Sequence, residues 1–177
     1  MADERGVKRL ELISNHYSAL GGYSVSFVLR VGGGEQRGVM LVSGKNSYFK
    51  VAHTEIFIED ALRYEVNSES KEIVVDRADA YEKDLLNSFN GVSRLAADFI
   101  VVECEIEGRA AVRLTPKSGG DVVYIVTGAD GESVAKLRYG AGENLVEVVV
   151  EKSEKYTQPL PRFSKERYKG FEMVDFR

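Results

Sequence analysis

The residues able to do covalent or metal chemistry are few in this chain, and their spacing does not favour it. His16 and His53 are the only imidazoles, and neither has a second His, a Cys or a carboxylate at metal-ligand spacing within its own predicted helix or strand. Cys104 is the single cysteine, so no internal disulfide forms; alternating with Ile100, Val102 and Ile106, it reads as a buried strand residue. There is no Gly-x-Ser-x-Gly elbow. Glu103, Glu105 and Glu107 share one strand face, a pattern that reads as a solvated side. A glycosidase needs two carboxylates facing each other across a cleft, and no spacing here points to that. Gly32-Gly33-Gly34 lacks the Gly-Lys-Ser/Thr of a phosphate loop, and Gly140-Ala141-Gly142 leads into a strand pattern; both read as hairpin turns. The expectation is a protein without catalytic residues, metal or cofactor.

Composition narrows the class further. The chain has 177 residues, 44% hydrophobic and 29% charged, which suffices for one ordinary core and excludes a disordered tail or a disulfide-stapled mini-protein. With 24 basic against 28 acidic residues the net charge is −4, so no overall field steers the molecule toward phosphate backbones or anionic membranes. Nucleic acid is not an expected partner. No run approaches the roughly 18 to 20 apolar residues that span a bilayer, and the first residues show no signal-peptide core.

The elements follow from periodicity. Val7, Leu10, Ile13, Tyr17 and Leu20 fall three and four apart and predict a helix over residues 3–20, stopped by Gly21-Gly22. The period then becomes two. Strands are predicted at 23–31, 39–42, 48–51, 54–58, 62–66 and 73–75, joined by turns too short for crossover helices. Alternation disappears over about 76–97, where Tyr81, Leu85, Leu86, Phe89 and Leu95 suggest a helical insertion broken near Asn90-Gly91. Strands resume at 99–106, 109–115, 122–127, 133–139 and 145–150, with Asp130-Gly131 as a hairpin turn and 171–176 as a final strand. The fold class is mainly β with α: a strongly curved antiparallel sheet, an incomplete β-barrel, with an N-terminal helix and a helical lid. No linker or repeat divides residues 1–177, so a single domain is expected. Eleven or twelve strands cannot stay flat, and a concave face covered only partly by helices leaves an apolar hollow.

Three stretches carry a resemblance. Asp60-Ala61-Leu62-Arg63-Tyr64-Glu65-Val66-Asn67 with Lys71-Glu72-Ile73-Val74-Val75, then Leu114-Thr115-Pro116-Lys117, then the closing Gly170-Phe171-Glu172-Met173-Val174-Asp175-Phe176-Arg177 together resemble the periplasmic outer-membrane lipoprotein carriers, the LolA-like family. The resemblance implies a half-barrel with a helical lid that holds lipoprotein acyl chains and ferries them across the periplasm. It also implies an inner-membrane lipoprotein-releasing transporter that loads it, an outer-membrane acceptor that unloads it, and an export signal already removed. The chain departs from the pattern where the family carries an Arg-Pro pair that latches the lid: the stretch reads Ser43-Gly44-Lys45-Asn46-Ser47-Tyr48-Phe49. Asp60-Ala61 replaces Asp-Gly, and Leu62-Arg63-Tyr64 lacks the usual Trp. These departures touch the latch more than the fold.

The candidate ligand-binding set is Phe27, Leu29, Tyr48, Ile56, Ile58, Leu62, Tyr64 and Val66, the apolar faces of four predicted strands. Alternation shows that such a face is buried; whether helix or guest covers it is left open by the pattern. An envelope-stress sensor or lipid-binding interaction module on the same half-barrel is the alternative function.

Overall fold

The computed structural model describes residues 3–81, 84–86 and 88–177. Helix α1 spans Glu4–Leu20. The Asp3 carboxylate caps it by accepting from the Arg5 amide at 3.2 Å, which satisfies one of the open N–H groups of the first turn. Leu10, Ile13 and Tyr17 are fully buried, and Val7 and Leu20 pack against the same core, so the predicted apolar stripe is the face the helix turns inward. At Gly6 a Cβ would stand 3.0 Å from the Val101 backbone; glycine lets the helix ride close on the sheet.

Twelve strands form one sheet: β1 (Gly22–Val31), β2 (Gly34–Ser43), β3 (Asn46–Val51), β4 (Thr54–Glu59), β5 (Leu62–Asn67), β6 (Glu72–Arg77), β7 (Phe99–Ile106), β8 (Arg109–Pro116), β9 (Val123–Thr127), β10 (Val134–Tyr139), β11 (Val146–Lys155) and β12 (Glu172–Asp175). Their spatial order is β12-β6-β5-β4-β3-β2-β1-β11-β10-β9-β8-β7. Two antiparallel meanders, β1–β6 and β7–β11, are thus joined side by side through the β1–β11 pair. Because β6 and β7 lie at opposite ends of this order, the chain between them must cross the open side of the curved sheet. Topology alone makes the 78–98 connection a cover.

Among its described residues the connection forms 3₁₀ turns and no α-helix. β6 runs to Arg77, followed by a 3₁₀ turn over Ala78–Tyr81, and a second 3₁₀ segment covers Val92–Ala97. The bonds Asp84 N to Tyr81 O, Arg94 N to Gly91 O and Asp98 N to Leu95 O each span three residues. Residues 82, 83 and 87 of the predicted insertion lie outside the described residues. A second difference concerns β12, which pairs parallel to β6 in an otherwise antiparallel sheet. At the opposite edge the Asp3 amide donates to Val101 O at 3.0 Å.

The sheet buries both faces. On the inner face, Tyr23, Val25, Phe27, Met40, Val42 and Phe49 meet α1 together with Val112, Ile125 and Leu137 from the second meander. On the outer face of β2–β6, the cross-strand row Leu41, Tyr48, Phe57, Tyr64 and Val75 lies under the segment 156–171, whose Leu160, Phe163, Tyr168 and Phe171 cover it. This strap explains why β4 buries Phe57 on the outer face while Ile56 packs against the inner core.

Strand β7 starts out phased opposite to its reading. Val101 is fully buried and Glu103, on the same face, receives Arg9 of α1 at 3.2 Å, so this end of the glutamate face turns toward the helix while Glu105 and Glu107 are exposed as expected, and Cys104 is half-buried on the other face. Phe99, Ile100, Val101 and Val102 are consecutive apolar residues, so alternation supports either phase; the close Gly6 contact and the Arg9 pair select one. Burial raises the Cys104 thiol above its ordinary range.

Candidate functional site

A cavity of about 520 Å³ opens where the cover meets one end of the inner face. The β2–β3 turn at Gly44 and Lys45 forms one side, and the β4–β5 hairpin at Ile58, Asp60, Ala61 and Leu62 forms the next. The cover supplies Leu85, Val92 and Leu95 as the opposite wall. Val92 and Leu95 also belong to the inner core, so the hollow continues that core where side chains leave it unfilled. Its volume falls within the roughly 300 to 1,000 Å³ usual for small-molecule sites.

The rim is polar and of mixed sign. Arg77 pairs with Asp79 at 2.5 Å, and Arg177 pairs with Asp175 at 2.5 Å. The Arg177 side-chain bonds hold the Asp175 carboxyl well down, to about 2. Lys45 and Arg94 also line the opening, opposite Asp60 and Asp84. Ser88 is a hydroxyl of the lining, at 3.4 Å from the Tyr23 hydroxyl. Neither imidazole lines the cavity: His16 packs edge-on against Tyr17 and faces Glu132 at 3.5 Å, and His53 lies exposed in the β3–β4 turn. The lining therefore offers apolar contact and a charged mouth.

Two sets of contacts hold the cover. Phe89, only 1% exposed, meets the Tyr17 ring edge-on at 5.1 Å, and its amide donates to the buried Tyr23 hydroxyl at 2.7 Å. Burial raises the Tyr23 phenol, keeping it neutral and available as that acceptor. The Ser14 hydroxyl donates to Asn90 O at 2.5 Å, tying the same stretch to α1. At the other end, Arg63 on the inner face of β5 stacks beneath the Tyr81 ring at 4.0 Å, and Tyr81 donates to Asp76 at 3.2 Å. Arg63 is 4% exposed; one guanidinium nitrogen reaches Glu65 at 2.7 Å, while Nε has no hydrogen-bond partner among the described residues.

The eight expected ligand residues fall into three places. Ile58 and Leu62 line the cavity. Phe27, Leu29 and Ile56 belong to the inner core, with the Phe27 ring stacked on Phe49 at 5.6 Å and lying over Gly38, where a Cβ would collide with it. Tyr48, Tyr64 and Val66 face outward beneath the strap. The structure does not bring the set together: Tyr64 and Val66 lie under the strap, whereas Leu62, at the hairpin end of the same β5 face, reaches the cavity lining. Of the lining residues outside the set, Leu85 and Leu95 announced themselves only as apolar positions in a charged stretch, and Val92 and Arg94 gave no signal.

No family model and no curated protein matches the chain. Among solved structures, an uncharacterized conserved protein from Thermus thermophilus matches at 10% identity with a TM-score of 0.65, covering 97% of this chain and 99% of that one. Lipoprotein LppX of Mycobacterium tuberculosis matches at 8% identity and a TM-score of 0.52, over 89% and 99% of the two chains. LprF from Mycobacterium bovis aligns over 91% of this chain and 98% of its own at 14% identity, with a TM-score of 0.45. The likeness to the Thermus protein and LppX extends over nearly their full length, and the chain has the LolA-like half-barrel fold that its sequence resembles.

Proposed function

We propose that the protein is a non-enzymatic carrier that takes an acyl chain of a lipoprotein into the cavity beneath the 78–98 cover. The observation that carries this reading is the 520 Å³ hollow itself, walled by Ile58, Leu62, Leu85, Val92 and Leu95 and reached through a charged mouth. Each methylene removed from water contributes about 0.8 kcal/mol, so burying only part of a chain suffices for useful affinity while release stays feasible. The polar end of the guest remains at the rim. The periplasm as compartment, an inner-membrane transporter as donor and an outer-membrane acceptor belong to this proposal and rest on the sequence resemblance. No helix among the described residues is long and apolar enough to cross a membrane.

Native mass spectrometry of protein purified from its own cell envelope tests the reading: a released acylated peptide is the expected increment. In vitro, Ile58→Glu and Leu85→Glu are expected to weaken uptake of a fluorescent fatty acid about tenfold or more, since each places a carboxylate on the apolar wall. Unchanged uptake by folded variants refutes the cavity as the site.

A second reading, a lipid-sensing interaction module, is favoured by how firmly Phe89 and Asn90 are tied to Tyr23 and Ser14. Hydrogen exchange separates the two: a carrier loosens over 78–98 when loading, and a sensor keeps that stretch protected.

A further inference from the structure

The net charge of −4 conceals a segregation. Residues 155–171 hold five basic side chains, Lys155, Arg162, Lys165, Arg167 and Lys169, against Glu166 alone, leaving the rest of the chain at −8. The fold spreads this segment over the outer face of β2–β6, away from the cavity. Arg162 and Arg167 remain 79% and 57% exposed, each 3.9 Å from a β4 carboxylate. One of those carboxylates, Glu55, is buried and already accepts the Tyr48 and Tyr168 hydroxyls at 2.5 and 2.8 Å. Lys165 and Lys169 are exposed and have no ion-pair partner among the described residues.

Between these two lysines lies a pocket of about 360 Å³ with Ile73, Tyr168, Phe171 and Met173 as its apolar wall and Glu166 as its one acid. Met173 is 36% exposed there, and Phe176 stands 64% exposed at the same sheet edge. Exposed apolar side chains beside unpaired cations match a bilayer surface, where phosphates meet the ammonium groups and the apolar wall meets the glycerol and upper acyl region. A protein partner adding a strand is disfavoured, since β12 offers only four residues of free edge.

We propose that this outer face docks the protein on an anionic phospholipid membrane. The two lysines and the pocket form the contact, and the inner cavity stays open to its guest.

Flotation of the full chain with vesicles tests this, using phosphatidylcholine alone and phosphatidylcholine mixed with phosphatidylglycerol, at low and high salt. Binding is expected only to the mixed vesicles, and to fall with salt. Lys165→Gln with Lys169→Gln is expected to lower the partition coefficient by about 25-fold, roughly fivefold for each cation. Fatty-acid uptake by the same variant is expected to match the parent, which keeps this test independent of the carrier reading. Equal binding to neutral vesicles, no binding, or binding indifferent to both substitutions overturns the proposal. Retention on immobilised polyglutamate without vesicle binding also overturns it, in favour of an acidic protein partner. Uptake that falls with vesicle binding joins the two sites and overturns the separate docking face.

Discussion

The same sheet wears two coverings of different quality. Outside, the strap lays Phe163 flat on Tyr64 at 4.2 Å and on Tyr168 at 5.9 Å, with Phe57 fully buried below and Glu55 gripped by two phenols. Inside, α1 packs tightly over much of the face, but the 78–98 cover is built of 3₁₀ turns and leaves a hollow at its end. A long helix lays down a continuous apolar stripe, whereas this cover joins the core at isolated points, Val92 and Leu95 from a 3₁₀ turn and Phe89 from the bend before it. The difference places stability on the outer face and adaptability on the inner one.

Truncating one ring on each side tests that division most severely. Phe57→Ala under the strap is expected to cost about 3–5 kcal/mol of global stability in urea unfolding. Phe89→Ala is expected to cost less globally and to raise amide exchange selectively over the described residues 88–97, because the cover can open without unfolding the sheet. Equal global losses from the two would show that cover and sheet unfold as one unit.

Alkaline pH probes the outer covering along with the buried inner phenols Tyr17 and Tyr23, and the Tyr168→Phe comparison isolates the outer share. Burial, and then the bond to Glu55, pushes the Tyr168 phenol up to about 12, and the same causes drive Tyr48 upward. Raised folded values mean that the neutral phenols stabilise the fold fully below the unfolded value of about 10. That contribution disappears as pH climbs toward about 12. The urea midpoint is therefore expected to hold level from neutrality to about pH 9 and then decline, less steeply in Tyr168→Phe. A midpoint indifferent to pH across this range would remove the phenol pair as a strap fastener.

The smallest effect is expected at α1. Arg9 reaches Glu103 and the Gly131 carbonyl at 2.8 Å in a half-buried setting, so Arg9→Ala should lower stability by about 1 kcal/mol and leave ligand uptake unchanged. A loss of several kcal/mol would make this pair, and not the Gly6 contact, the anchor of the helix.

Nearly all of the strands were legible in the sequence. The period-two runs and turn residues located all twelve, and β7 begins and ends where its pattern does. What periodicity could not supply is which layer covers which face. Leu62, Tyr64 and Val66 alternate as a buried face should, yet Tyr64 and Val66 are buried by a segment roughly a hundred residues later in the chain. Nothing local in β5 distinguishes that covering from α1. The insertion is helical as two short 3₁₀ segments, Ala78–Tyr81 and Val92–Ala97, and of its apolar positions Leu85, Phe89 and Leu95 only Leu95 sits in one of them, a detail that spacing alone does not reveal. Lys45, Arg94 and Arg177 come to the cavity mouth from three distant stretches, a convergence only the folded chain displays.

An open sheet has two raw margins, and here each is met by a stretch of the same polypeptide. Asp3 occupies β7, both through its amide on Val101 and through its carboxylate toward the Glu103 amide at 3.4 Å; β12 zips along β6. A half-barrel stoppered in this way resists stacking edge to edge into fibres, even when crowded. Stripped of β12, the molecule would bare a β6 margin flanked by Ile73 and Val75, and its copies would begin to polymerise.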